Sequence, residues 1–82
     1  MHKFTASLTL GSESLIIHHW FVPGLSYSIE AQDFLPLLSP CVGQKVSQCG
    51  QEAQDYLLEA MGLEVIAPSD PLEFTVISVE EA

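Results

Sequence analysis

The side chains best suited to chemistry are two adjacent histidines, His18 and His19, and two cysteines, Cys41 and Cys49. Histidine and cysteine together can hold a zinc ion or form a nucleophilic pair. The histidines lie in an apolar segment that predicts a strand, where neighbouring side chains point to opposite faces and cannot chelate one ion together. The spacing matches no zinc ligand set, and the glycines follow no phosphate-binding pattern. The sequence therefore predicts neither a metal site nor a cofactor.

The cysteines leave two questions open. Cys41 or Cys49 paired with His18 or His19 would give an enzyme, and a helix that begins at Pro40 would lower the pKa of the Cys41 thiol. No loop motif surrounds either cysteine, so we expect no enzyme and two reduced, partly buried thiols. On a continuous helix the two cysteines would be about 12 Å apart along the axis, too far for a disulfide. A loop in this region would allow one.

The charge balance is the strongest compositional feature. Eleven carboxylates face only two cations, Lys3 and Lys45, which gives a net charge of −9. Charged residues make up 16% of the chain, below the usual fraction of about 25%, so this is not a disordered acidic tail. Direct binding to nucleic acid is disfavoured, because phosphate contacts require lysine and arginine. The field of the protein suits a basic partner and would speed association with it.

The stretch from Ser39 to Gly62 predicts one long helix, at about residues 40–61. Ser39 can cap the helix, Pro40 fits the first helical position, and Gly62 can end the helix in the left-handed conformation. Apolar residues recur every three or four positions and predict one buried stripe. These residues are Val42, Val46, Cys49, Ala53, Leu57 and Ala60.

The opposite side of this helix is acidic. Glu52, Asp55 and Glu59 fall within a wedge of roughly 60° and span about 10 Å along the axis, the scale of a few nucleotide steps. Leu58 lies on the same side, where the sequence gives it no folding role. This side is either a solvated face or a binding face with an apolar contact at Leu58.

Trp20 also has two interpretations, as a core residue or as an interface anchor. Together with the acidic side of the helix, it completes the set of candidate partner-binding residues. The set comprises Glu52, Asp55, Leu58, Glu59, Glu64, Asp70 and Trp20.

The rest of the chain reads as strands and turns. Alternating apolar residues predict a hairpin of two strands, Lys3–Leu10 and Ser14–Val22, and the second is apolar on both faces. We therefore expect the second strand at the centre of a sheet or against another chain. Further strands are predicted at Leu25–Glu30, Leu63–Ala67 and Leu72–Val79, with a short helical turn or ordered loop at Ala31–Leu38 and a frayed acidic end at Glu80–Ala82.

These elements predict a single α+β domain, residues 1–82, in the order β-β-(β)-α-β-β. One main helix would cover a small antiparallel sheet of four to five strands. Hydrophobic residues make up 48% of the chain, more than a small monomer readily hides, so part of this surface is expected in an interface. No membrane-spanning segment or signal peptide is recognisable, and we expect a cytoplasmic location.

In size and charge the chain resembles phage-encoded inhibitors of host defence systems, including anti-CRISPR proteins. The resemblance implies a viral protein that acts in the host cytoplasm. We expect a small acidic inhibitor that occupies the basic, nucleic-acid-binding surface of a larger protein by nucleic-acid mimicry. The alternatives are a structural or assembly subunit, or an obligate homodimer, that uses its excess apolar surface, and an enzyme that uses a cysteine with a histidine.

Overall fold

The structure, a computed structural model, describes residues 2–63 and 68–82. In these residues one antiparallel sheet of three strands has the order β2-β1-β3, and apolar side chains of two helices pack against one of its faces. The strands are β1 (His2–Leu10), β2 (Glu13–Phe21) and β3 (Thr75–Glu81), and the helices are α1 (Ala31–Leu38) and α2 (Gln51–Gly62). The α+β class is confirmed. The described residues contain fewer strands and one more helix than the sequence predicts.

The hairpin of β1 and β2 is confirmed to within a residue at each end. A two-residue loop, Gly11-Ser12, joins the paired residues Leu10 and Glu13. Gly11 has φ 60°, and no described non-glycine residue has a positive φ, which defines a type II′ turn with glycine at its first central position. This type of turn matches the twist of the two strands. It therefore keeps the buried residues of β1 and β2 on the same face of the sheet.

β2 lies at an edge of the sheet, and its predicted central position is wrong. β3 pairs with the other side of β1, which makes β1 the central strand. Ile17 and Phe21 are buried beneath the helices, whereas Ile16 and Trp20 are each 51% exposed on the outer face. No described helix or strand therefore packs over the second apolar face of β2, which suggested a central strand.

The predicted helix from Ser39 to Gly62 is present only in its second half. Separate 3₁₀ turns form at Ser39–Cys41 and Val46–Gln48, and α2 begins at Gln51. Gly43 between them has φ 87°, a left-handed conformation that interrupts any helix. Gly62 lies inside α2 and has no positive φ, so the predicted left-handed end is also wrong.

The residues that leave the helical path, 42–46, run beside β3 instead. The Gly43 N–H donates to the Val76 carbonyl at 2.8 Å, and the Val76 N–H donates to the Gln44 carbonyl at 2.9 Å. The Val46 N–H donates to the Phe74 carbonyl at 2.8 Å. Backbone groups that a helix would satisfy internally are therefore satisfied by β3, a tertiary arrangement that periodicity does not reveal.

Three smaller predictions also change. Residues 25–30 form an irregular segment with a bend at residues 28–29 rather than a strand, and the following segment is the full helix α1, with Pro36 inside it. β3 begins at Thr75, three residues later than predicted, and continues through Glu81, so the expected fraying of Glu80 and Glu81 is wrong. The strand predicted at Leu63–Ala67 lies, apart from Leu63, outside the described residues.

The core lies between the sheet and the two helices, with Phe34 of α1 at its centre. This side chain is fully buried, and its ring centroid is 4.8 Å from that of Phe4 and 5.7 Å from that of Tyr56. Other fully buried large side chains come from the strands, from both helices and from the 3₁₀ turn before α2. They are Leu8, Leu38, Leu57, Met61, Val46 and Val76. No described helix is long and apolar enough to cross a membrane.

Candidate acidic interface and its surroundings

Carboxylates from both helices line one cleft on the helical side of the molecule. Glu30 precedes α1, Asp33 lies in its first turn, and Glu52 lies in the first turn of α2. The three border a cleft of about 640 Å³, here called the acidic cleft. Helix N-termini carry partial positive charge, which offsets part of the repulsion between carboxylates placed there. The fold thus assembles an acidic site from segments twenty residues apart in sequence.

The acidic surface continues along α2 through Asp55 and Glu59, both of which are exposed. Asp55 accepts a hydrogen bond of 2.7 Å from the amide of Gln51, one turn earlier. Glu59 lies close enough to Tyr56 that its negative charge adds to burial in raising the pKa of the Tyr56 hydroxyl. We call the five carboxylates of Glu30, Asp33, Glu52, Asp55 and Glu59 the acidic face.

Both lysines of the chain are engaged away from the acidic face. Lys45 forms an ion pair of 2.9 Å with Glu73. Lys3 lies on the outer face of the sheet, with its ammonium 5.0 Å from the centre of the Trp20 ring. The chain contains no arginine. The repulsion among the carboxylates of the acidic face is therefore not relieved by either lysine.

The structure brings together only part of the predicted partner-binding set. Glu52, Asp55 and Glu59 share the helical side, whereas Trp20 is half exposed at the sheet edge. Asp70 is exposed in the loop before the 3₁₀ turn Pro71–Glu73. Leu58 and Glu64 are the other two members of the set. The set as a whole remains a prediction.

Leu58 is half buried and packs against the core. This contact gives it the folding role that the sequence did not show, and its proposed contact with a partner remains untested. Glu64 lies outside the described residues. Sequence reasoning missed Glu30 and Asp33, because the segment that carries them was not recognised as a helix. An acidic residue before Ala31 and another in the first turn are typical of a helix start and were the available signal.

A second cleft of about 620 Å³ runs beside β2 and is called here the edge cleft. It is lined by aromatic and polar side chains from β2, residues 26–28 and α2, among them His18, His19, Trp20, Tyr27, Tyr56 and Glu59. Trp20 and a residue of the acidic face, Glu59, both border this cleft.

His19 is a titratable residue of this region, and its ring makes two close contacts. Its Nδ1 and the Tyr56 hydroxyl are joined by a hydrogen bond of 2.6 Å, and its ring stacks on Phe21 with centroids 4.1 Å apart. Burial lowers the pKa of the His19 imidazole below its ordinary value of 6.5. The folded protein therefore favours neutral His19, whereas the unfolded chain takes up the proton first as the pH falls.

We expect the free energy of unfolding to decrease as the pH falls below about 6.5, because the contribution of neutral His19 is complete only above the unfolded pKa. Urea unfolding at a series of pH values between about 7 and 5 measures this dependence. His19→Gln, which retains a polar partner for the Tyr56 hydroxyl but cannot titrate, should reduce the slope. The exposed neighbour His18 provides the control, since His18→Gln should leave the slope of unfolding free energy against pH unchanged. Equal slopes in the two variants would contradict the assignment.

The lowered thiol pKa that a helix beginning at Pro40 would give Cys41 is not found. Cys41 is buried, and burial raises the pKa of its thiol to about 12, with a smaller contribution from the neighbouring Cys49. At neutral pH this thiol is protonated, the opposite of what a nucleophile requires. The two cysteines are free, and the Cys49 thiol donates a hydrogen bond to the Lys45 carbonyl at 3.6 Å. Residues 41–49 do not form the continuous helix that the sequence predicts.

Among residues 2–63 and 68–82, no three histidine, cysteine or carboxylate residues are grouped as metal ligands. The arrangement that stands out is the acidic face, a set of exposed carboxylates on a rigid helical layer. It defines a small acidic α+β domain with a charged surface. No protein family model, curated protein or solved structure matches the chain.

Proposed function

We propose that this chain is a small acidic inhibitor that occupies a basic, nucleic-acid-binding surface on a larger protein. The observation that carries the proposal is the convergence of Glu30, Asp33 and Glu52 on one cleft, continued along α2 by Asp55 and Glu59. Neither lysine neutralises this surface, since one pairs with Glu73 and the other lies on the opposite side of the sheet.

The acidic face has the properties that imitation of a phosphate backbone requires. α2 is twelve residues long and therefore about 18 Å in length, comparable with the rise of several nucleotides. Its carboxylates are fixed to a helix that is anchored in the core by buried residues such as Leu57 and Met61. Little conformational freedom of the backbone would be lost on binding, and the net charge of −9 would steer a basic partner to the surface.

A solvated face is the simpler explanation of such charges, and energetics argue against it here. Like charges three or four residues apart, as in Glu52/Asp55 and Asp55/Glu59, each cost roughly 0.2–0.5 kcal/mol. Most protein surfaces intersperse lysine and arginine among carboxylates, which removes this cost. A surface that keeps the repulsion is better explained by a partner that supplies the cations.

The proposal is tested by capturing partners from cells of the native host on the immobilised protein. A specific partner should carry a basic surface and should be displaced by duplex DNA, because both compete for the same cations. Its affinity should fall at least about tenfold between about 50 and 200 mM salt, as expected for several charge contacts. A partner that remains bound at high salt and ignores DNA would contradict mimicry and favour an apolar interface.

A further inference from the structure

The free side of β2 presents a row of backbone groups that no described residue uses. Leu10 and Glu13 flank the two-residue turn and form a hydrogen-bonded pair, so the N–H and C=O groups of every second residue of β2 point away from β1. These residues are Ser14, Ile16, His18 and Trp20, and none of their backbone groups is hydrogen-bonded within the described chain. β2 is thus a nine-residue strand with an open edge.

The opposite edge of the sheet is protected. Residues 42–46 hydrogen-bond to the first half of β3 through Val76 and the neighbouring Phe74. The second half of β3 carries the exposed carboxylates of Glu80 and Glu81, and charged side chains discourage strand addition. One edge is therefore blocked by backbone pairing and by charge, whereas residues 2–63 and 68–82 leave the other edge unpaired.

The open edge is also the least charged part of the molecule. Residues 14–29 contain no aspartate, glutamate, lysine or arginine, and these sixteen residues are the longest such stretch in the chain. Ile16 and Trp20 are each 51% exposed on the outer face beside the edge. The edge cleft of about 620 Å³ leaves open space next to Ile17–Trp20.

We infer that β2 pairs with β2 of a second copy of the chain, antiparallel about a two-fold axis, to form a continuous sheet. Antiparallel pairing of a strand with itself is self-complementary, as a symmetric dimer requires. Each copy carries a charge of −9, so stable self-association must avoid opposing carboxylates. The uncharged segment from Ser14 to Trp20 meets this condition.

Side-chain chemistry selects the register. With the two-fold axis at His18, Ile16 of one copy faces Trp20 of the other on the outer face of the sheet, twice by symmetry. Cross-strand pairs of an aromatic with a β-branched residue are among the favourable combinations in sheets. His18 would face its own counterpart at the axis, with Cα atoms about 5.5 Å apart in a hydrogen-bonded pair.

Light scattering over a concentration series tests the dimer through the mass of the particle. The unmodified chain should reach twice its mass of 9.0 kDa. Ile16→Glu should weaken the dimer at least tenfold, because it places carboxylates in the pairing. Ile77→Glu is the matched control, since Ile77 is 53% exposed on the other edge strand, and it should leave the dimer unchanged. A monomer at all concentrations, or equal behaviour of the two variants, overturns the inference.

Disulfide crosslinking tests the register independently of affinity. His18→Cys should form a covalent dimer under air oxidation, because the two Cα atoms at the axis lie within disulfide range. Thr5→Cys is the control. Thr5 pairs with His18 on the central strand, so its two copies would lie about three strand spacings, roughly 14 Å, apart. Crosslinking of the His18 variant no faster than that of the control, as when another segment covers the edge, contradicts the proposal.

Discussion

Replacing Glu52, Asp55 and Glu59 together by lysine is expected to weaken binding to a captured basic partner by about 100-fold. An exposed ion pair contributes up to about 1 kcal/mol, so the loss of three such pairs costs up to about 3 kcal/mol, and repulsion between the new lysines and the basic partner adds to this cost. A difference of 1.4 kcal/mol corresponds to a factor of ten in affinity. Titration of the partner against each variant at constant salt measures the effect.

A second triple variant separates the acidic face from net charge. Glu13, Glu80 and Glu81 are exposed and lie outside the acidic face, and their replacement by lysine changes the net charge from −9 to −3, as does reversal on α2. If the acidic face binds the partner, this control should retain most of the affinity. Equal losses in the two variants would show that only overall charge matters, and unchanged binding by the α2 variant would leave the face as a solvated surface.

The α2 variant is expected to fold, which keeps the comparison valid. Lysines at the three positions repel one another as the carboxylates did, so the balance of side-chain charges within the helix is preserved. Lysine at position 52 loses a favourable interaction with the helix N-terminus of roughly 0.3–1 kcal/mol. Circular dichroism and urea unfolding should show the native helix content with a modest decrease in stability.

The largest effect on stability is expected from Phe34→Ala, at about 3–5 kcal/mol of the free energy of unfolding. A domain of this length has a total stability of roughly 4–12 kcal/mol, so this one substitution should remove a large part of it. Phe34 is fully buried, and its ring packs against rings from both strands of the hairpin and from α2. Truncation would leave a cavity at the point where the layers meet.

Urea unfolding followed by circular dichroism measures this loss. Leu25→Ala is the matched control, because this large side chain is 63% exposed and its truncation should change stability by less than about 0.5 kcal/mol. A loss below about 1 kcal/mol for Phe34→Ala would contradict the central position of the ring, since the surrounding side chains would then have to close the cavity without cost.

Sequence periodicity predicted those parts of the fold that depend on local patterns. The alternation from Phe4 to Leu8 and the glycine turn at Gly11 defined the hairpin. The apolar spacing from Ala53 to Ala60 predicts α2, including the outward position of Glu52, Asp55 and Glu59. In each case one face of a helix or strand packs against the core, so the periodicity of apolar residues predicts the element.

The rest depended on tertiary contacts. Val42, Val46 and Cys49 have helical spacing, yet their segment pairs with β3 because Gly43 can adopt φ 87° and Phe74 and Val76 offer backbone partners. The two apolar faces of β2 predict a central strand or a face against another chain, but an edge strand with one uncovered face has the same composition. Glu30 and Asp33 reach the acidic cleft only because α1 docks beside α2, which no local pattern encodes.

The position of β1 between β2 and β3 imposes an order on folding. The contacts of β1 with β2 join residues close in sequence, whereas its register with β3 pairs Phe4 with Glu81 and Thr9 with Thr75, more than sixty residues apart. Closing so long a loop costs entropy before any bond is gained. The hairpin can therefore nucleate early, whereas the sheet is completed late. In a newly made chain the edge of β1 that later pairs with β3 is exposed during this interval, and it must not pair with other chains before β3 forms.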